Sequence, residues 1–402
     1  MGLNAAGVTL GEISVTTVPG DHEIVYGRCD PAFASVLDAF RRNFTERSEV
    51  GAAVAIYLGG EIMVDLHGGH LDRKRTRPWR EDTLCTMYSI AKSMCALCVH
   101  ILADRGLIDL EAPVATYWPE FAQNGKAAIR VRHILSHHCG VCFNDNATPG
   151  TIYDYDAMVR SIERIEPAWP AGSKGAYNSI NFGFLNGELV RRVSGMPVNQ
   201  FLRENVCGPL GADYQIGLSE DDLVRVTDIY PNPENMQFRM AQTPDAPLAR
   251  VWKAGPRPLT EETINSRQWR LALLPFAGGY GTARAMACIY SCLANHGALN
   301  GVRLLSQQAV ERARTQQWEE QSDGVLQRPY RMAMGFFKNK PGWIGMGPNM
   351  NAFGHHGSGG ALAFADPEHN LAFAAQTNFQ CEGNGVGRRT EALVEATFAS
   401  LA

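Results

Sequence analysis

Two β-hairpin patterns lie near opposite ends of this chain, and they constrain its fold more than any other feature. Ala52 to Leu58 and Glu61 to Leu66 flank Gly59-Gly60, a two-residue turn that tolerates positive φ. Ala361 to Ala365 and Leu371 to Thr377 flank the longer loop Asp366-Pro367-Glu368-His369-Asn370. Helical patterns fill the space between: Tyr88 to Arg105, Tyr153 to Ile165, Ile180 to Val193, Val198 to Glu204, Ala283 to Asn295 and Ser306 to Gln316. Another helix is predicted from Pro31 to about Phe44. A last one has Leu393, Val394, Thr397, Phe398 and Leu401 on the face to bury. Strands at both ends with helices between predict an α/β (α+β) fold: an antiparallel sheet built from both termini, flanked by helices, with a mostly helical domain inserted. The expected division is 1–80 with 300–402 for the sheet and 81–299 for the helical domain, the active site lying between them. Tyr230 to Pro275 is proline-rich and weakly periodic, and reads as a loop-rich wall.

Composition excludes several function classes. With 45% hydrophobic and 19% charged residues among 402, the chain has the balance of a globular protein with a sizeable core. A net charge of -4 without a basic block gives no footing for nucleic acid or an anionic membrane. No secretory signal pattern opens the chain, and Ala6 stands where a myristoylation signal wants Ser or Thr. The apolar stretch around Ala96 to Ala103 is too short to span a bilayer. The expectation is a cytoplasmic protein with ten reduced, mostly buried cysteines, no cofactor and no metal. Composition points to a small-molecule partner rather than a macromolecular one, and a homodimer is left open.

The chemistry starts at Ser89-Ile90-Ala91-Lys92, at the head of a helix that is apolar nearly all round. Residues three apart share a helix face, so the hydroxyl and the amine can meet. A serine hydroxyl needs a base, and a lysine buried among apolar residues loses its preference for the charged form. A helix N-terminus also offers backbone donors to an oxyanion. Ser and Lys one turn apart on a helix surface is a common coincidence, but MYSIAKSMCALCVHIL is too apolar for a lysine facing solvent. Tyr177-Asn178-Ser179 follows Trp169-Pro170-Ala171-Gly172 and, taken alone, is a helix start capped by serine. Tyr177 is also a candidate phenol or phenolate for proton relay. Gly354-His355-His356-Gly357-Ser358-Gly359-Gly360 leads into the second strand pair, its glycines permitting close backbone approach. The Ser358 N–H is a candidate oxyanion donor there, with His355 or His356 lining the site.

In this order the segments resemble the serine β-lactamase and penicillin-binding-protein superfamily, in its class C-like branch, and most of all the family VIII carboxylesterases. Arg132-His133-Ile134-Leu135-Ser136-His137-His138-Cys139-Gly140 and Ala277-Gly278-Gly279-Tyr280-Gly281-Thr282-Ala283-Arg284 extend the likeness, as does Gly301 to Ser306. The resemblance implies acylation of Ser89, acid–base work shared by Lys92 and Tyr177, and an oxyanion hole from the Ser89 and Ser358 amides. His355 takes a position that is lysine in β-lactamases. Ser179 stands where those enzymes have an asparagine for the lactam side-chain amide. Both departures, with H-H-G in place of K-T-G, favour an uncharged ester over a lactam. The alternatives are a β-lactamase, a D-amino-acid amidase or peptidase, or an acyltransferase of the same superfamily. A non-catalytic binding protein is the reading from another class.

Other motifs lead away from this chemistry. Cys95-x-x-Cys98 and Cys139-x-x-Cys142, near His133, His137 and His138, mimic zinc ligands, but the first pair shares the apolar helix of Ser89. His67-Gly68-Gly69 lacks a G-x-S-x-G elbow to serve, and no dinucleotide fingerprint or isolated carboxylate pair is present. Tyr230, Met236, Phe238, Met240, Trp252, Trp269 and Phe276 are candidates to wall an apolar pocket.

Overall fold

A computed structural model describes residues 25–235, 239–241, 243–381 and 385–401. Its main sheet has nine strands: β1 (Val25–Cys29), β2 (Gly51–Leu58), β3 (Glu61–Gly69), β4 (Trp318–Glu320), β5 (Tyr330–Met332), β6 (Phe337–Lys338), β7 (Phe353–His356), β8 (Leu362–Asp366) and β9 (Leu371–Thr377). Their order is β1-β3-β2-β9-β8-β7-β6-β5-β4, antiparallel at every junction. The two hairpins meet where β9 pairs with β2, from Leu371 opposite Leu58 to Thr377 opposite Ala52. The sheet is therefore assembled from both ends of the chain. Gly59 and Gly60 have φ of 59° and 90°, the left-handed pair that closes a two-residue hairpin with the right twist.

Seven helices position the rest: α1 (Ala34–Glu46), α2 (Ile90–Asp104), α3 (Tyr155–Glu163), α4 (Asn181–Ser194), α5 (Ala283–Ala294), α6 (Gln307–Arg314) and α7 (Gly387–Ala399). α1 and α7 pack together, tied by Asn43 Nδ2 donating to the Arg389 carbonyl at 3.2 Å. Phe398 of α7 lies over Phe364, which stacks on Phe373 of the next strand. α5 lies across β2, β8 and β9, so the middle of the chain supplies a sheet-covering helix as well as the helices around α2. Among its described residues the 230–275 wall includes the short helices Pro247–Val251, Glu261–Asn265 and Arg267–Leu271.

α2 is the axis of the molecule. Every residue from Ile90 to Leu102 is buried, and α2 packs on α4 and against β7. A helix buried on all sides must satisfy its polar side chains internally. Ser93 Oγ donates to the Ile90 carbonyl at 2.7 Å, and one His100 ring nitrogen meets the Met334 carbonyl at 2.8 Å. Lys92, at 0% exposure, is the one amine buried in this helix.

Candidate active site

A three-stranded sheet of Cys85–Thr86, Gly279–Gly281 and Tyr214–Ile216 delivers the chain to Ser89. Met87 N–H donates to the Gly279 carbonyl at 2.9 Å, and Thr86 Oγ1 donates to the Ala277 carbonyl at 3.2 Å. Tyr88 then turns through φ of 47°, a left-handed conformation unfavourable for a tyrosine. That turn sets Ser89 as the N-cap of α2.

Lys92 Nζ lies 2.9 Å from Ser89 Oγ and donates to the Phe276 carbonyl at 2.8 Å. Burial drives its pKa well below the ordinary lysine value, opposed only by the Cys95 thiol. A neutral amine held by the Phe276 carbonyl keeps a lone pair to take the serine proton. Lys92 Nζ also sits 5.1 Å from the Tyr177 ring centroid.

Tyr177 is 2% exposed. Burial raises its phenol pKa, a hydrogen bond with Ser89 lowers it, and the Asp323 charge raises it; burial dominates, so the group stays protonated. The His137 ring stacks on Tyr177 at 5.0 Å and on Phe182 at 4.1 Å. Asn178 N–H donates to His137 Nδ1 at 2.9 Å, which leaves the proton of the neutral ring on Nε2.

β7 closes the other side. A Cβ on Gly357 would stand 2.3 Å from the Met87 carbonyl oxygen, so only glycine lets the strand end approach the nucleophile's turn. Among the described residues, neither the Ser89 nor the Ser358 backbone N–H has a hydrogen-bond partner. His355 is 1% exposed, with its ring 6.2 Å from that of Tyr177. Its Nδ1 meets the His356 carbonyl at 2.7 Å. His356 stacks instead on Phe337 at 5.1 Å, and burial lowers its pKa to about 4.

The cleft above Ser89 is lined by Ser179 and Ser358 and, on its apolar side, by Trp252, Leu259, Trp269 and Phe276. Both indoles meet Phe276 edge-on, at 6.0 Å and 6.4 Å between ring centroids. No lysine or arginine lies on this wall among the described residues. Of the other pocket candidates, Tyr230 turns away, its hydroxyl accepting the Arg73 N–H at 3.0 Å and donating to the Leu71 carbonyl at 3.3 Å. Met240 packs on the core without lining the cleft, and Met236 and Phe238 lie outside the described residues.

The ten cysteines are unpaired, and nine are buried. The Cys95 thiol donates to the Pro275 carbonyl at 3.3 Å and that of Cys142 to the Gly140 carbonyl at 3.8 Å. His137, the Phe276 carbonyl and Asp323 were not singled out for the catalytic site from sequence. Their parts are played through ring faces and backbone atoms, which leave no motif.

A serine and a desolvated lysine at the start of a buried helix, with a tyrosine and a glycine-rich strand end beside them, define a site of the serine-hydrolase class. Its particular family follows from comparison: residues 40–397 match the beta-lactamase family model, and the chain belongs to that family. The chain is 35% identical, over 88% of its length and 83% of the relative's, to the esterase/beta-lactamase LipL of Mycobacterium tuberculosis. A crystal structure of a family VIII carboxylesterase superposes with a TM-score of 0.85 at 37% identity, covering 94% of this chain and 99% of the other. A penicillin-binding protein homologue from Caulobacter crescentus gives the same TM-score of 0.85 and the same coverage at 35% identity. No described helix is long and apolar enough to cross a membrane.

Proposed function

We propose that the protein hydrolyses carboxylic esters of small, largely apolar substrates through an acyl-enzyme on Ser89. The observation that carries this is the 2.9 Å contact between Ser89 Oγ and a Lys92 amine that burial holds uncharged. Lys92 takes the hydroxyl proton as Oγ forms a bond to the ester carbonyl carbon. The oxyanion that develops is met by the free N–H groups of Ser89 and Ser358. As the carbon–oxygen bond to the alcohol breaks, the Tyr177 phenol gives its proton to the departing oxygen and is reprotonated from Lys92. Water reverses the sequence: it attacks the acyl carbon, its proton passes to the Tyr177–Lys92 pair, and Ser89 leaves with a proton restored.

Ester rather than lactam selectivity is supported by the cleft. Its wall of Trp252, Leu259, Trp269 and Phe276 suits an apolar acyl or alcohol group. Neutral His355 stands where β-lactamases place a lysine, so a substrate carboxylate meets no fixed cation there. The similarity to a family VIII carboxylesterase agrees with this choice. Ten unpaired cysteines favour a cytoplasmic setting.

The test is the rate on a short p-nitrophenyl ester, on nitrocefin and on a D-alanyl amide, for the native enzyme and Ser89→Ala. Ester hydrolysis is expected to dominate and to vanish in the variant. Retention of most ester activity by Ser89→Ala removes Ser89 as nucleophile, and faster turnover of nitrocefin or the amide replaces the ester reading.

A further inference from the structure

The loop that presents Tyr177 is held by the segment between β4 and β5. Gly175 N–H donates to Glu320 Oε1 at 2.6 Å, and Gly324 N–H donates to the Gly175 carbonyl at 3.0 Å. The Trp318 indole N–H donates to the Ser136 carbonyl at 2.6 Å, next to the His137 that stacks on Tyr177. At the centre of this clasp is Asp323, 1% exposed.

The Asp323 carboxylate accepts from four backbone amides: Tyr177 at 2.6 Å, Leu326 at 2.9 Å, Val325 at 3.3 Å and Arg328 at 3.4 Å. Three of these close its own turn. A neutral asparagine or serine commonly performs that task at a turn, without the cost of burying a carboxylate. The fourth bond is different, because it reaches across 146 residues to the backbone of Tyr177 and is the shortest of the set. A charge-assisted bond of this length fixes its donor more firmly than a neutral one. The tyrosine backbone is thus tied at its own N–H, while its ring is sandwiched by His137 and, at 5.7 Å, by Phe337.

We propose that Asp323 is a positioning residue for the reaction: resting on the assignment of Tyr177 as the leaving-group acid, its carboxylate fixes the Tyr177 backbone so that the phenol meets the departing oxygen. Asp323 does not line the cleft above Ser89 and reaches the site through the Tyr177 backbone. The benefit is greatest when the departing alcohol is a strong base. It is least when the alcohol leaves readily without a proton.

The experiment is therefore a series of esters with one acyl group and leaving groups running from p-nitrophenol to ethanol. kcat/KM is measured for the native enzyme, Tyr177→Phe, Asp323→Asn, Asp323→Ser and Tyr177→Phe/Asp323→Asn. Each preparation is normalised to the sites that a fluorophosphonate labels, which removes unfolded protein from the comparison. Tyr177→Phe is expected to lose about 10²-fold or more on the ethyl ester and only a few-fold on the nitrophenyl ester, within the usual range for a general acid. Asp323→Asn and Asp323→Ser are expected to show the same tilt at roughly a tenth of that size. In the double variant Asp323→Asn is expected to add almost nothing. A tilt in Tyr177→Phe with none in either Asp323 variant overturns the role of Asp323 alone, as does full additivity in the double variant. No tilt in Tyr177→Phe removes the tyrosine as acid and Asp323 with it.

Discussion

Gly357 approaches the carbonyl of Met87 so closely that an added Cβ would lie 2.3 Å from that oxygen. Met87 stands two residues before Ser89 and Gly357 one before Ser358, so this contact spaces the two amides proposed to meet the oxyanion. Gly357→Ala is expected to push the strand end away and lower kcat by about 10²-fold, the cost of losing one oxyanion donor. KM for a short ester should change little. An unaltered kcat at saturating substrate contradicts this spacing role.

Lys92 makes activity depend on pH in one direction. The amine works as a base only when unprotonated, and burial puts its pKa well below the ordinary 10.5. kcat/KM should therefore rise with pH and level off below that value. Lys92→Arg, which stays charged, should lose about 10²–10⁴-fold without recovery at high pH. A profile still climbing in the native enzyme near pH 10.5 would show the amine to be solvated.

The same burial has a stability consequence of fixed sign. In the folded state burial makes Lys92 give up its proton well below 10.5, while in the unfolded chain it stays protonated up to about 10.5. The unfolded state thus binds more protons between the depressed and ordinary pKa, and stability rises with pH across that window. Lys92→Met should abolish this slope and raise Tm at pH 7, at the expense of activity. A lower Tm at pH 7 would mean that the amine's bond to the Phe276 carbonyl outweighs its desolvation.

Much of the fold was legible because its decisive elements repeat a simple period. The two hairpins alternate or run apolar between turn residues, and α2 is apolar over four turns. β1 escaped notice because Val25–Cys29 is a mostly half-exposed edge strand without an apolar run. β4, β5 and β6 have three residues or fewer each, too short to show any period. The meeting of Ser89 and Lys92 could be read from sequence because residues three apart share a helix face, whereas Tyr177 was reached only through the family resemblance. Asp323 could not be read, because its partner is the backbone of a residue 146 positions away. His137 was legible as part of the Arg132 to Gly140 likeness and as a decoy metal ligand, but not as the ring that stacks on Tyr177.

Acid should unfold the protein partly through two buried histidines. His100 and His356 both have pKa values lowered by burial from 6.5 to about 4. Between those values the unfolded chain takes up protons that the folded one refuses, so stability falls as pH falls from about 6.5 towards 4. Between pH 7 and pH 5 each accounts for on the order of 2 kcal/mol. His100→Gln should make the urea midpoint less sensitive to pH in this range. An unchanged dependence would place the histidine's titration elsewhere.

Trp269 lines the apolar wall of the cleft, its ring 6.4 Å from that of Phe276. Trp269→Ala should shift acyl preference towards longer chains, by roughly 10-fold or more in the kcat/KM ratio of an octanoyl to an acetyl ester. Equal losses on both esters would mean that the indole supports the fold and does not read the substrate.

The most direct measurement is intact-mass spectrometry of enzyme acid-quenched within milliseconds of mixing with a p-nitrophenyl ester, followed by peptide mapping. A mass increase equal to one acyl group, located on Ser89 and absent from Ser89→Ala, is the predicted result. An acyl group on another residue, or ester turnover continuing undiminished in Ser89→Ala, would contradict it.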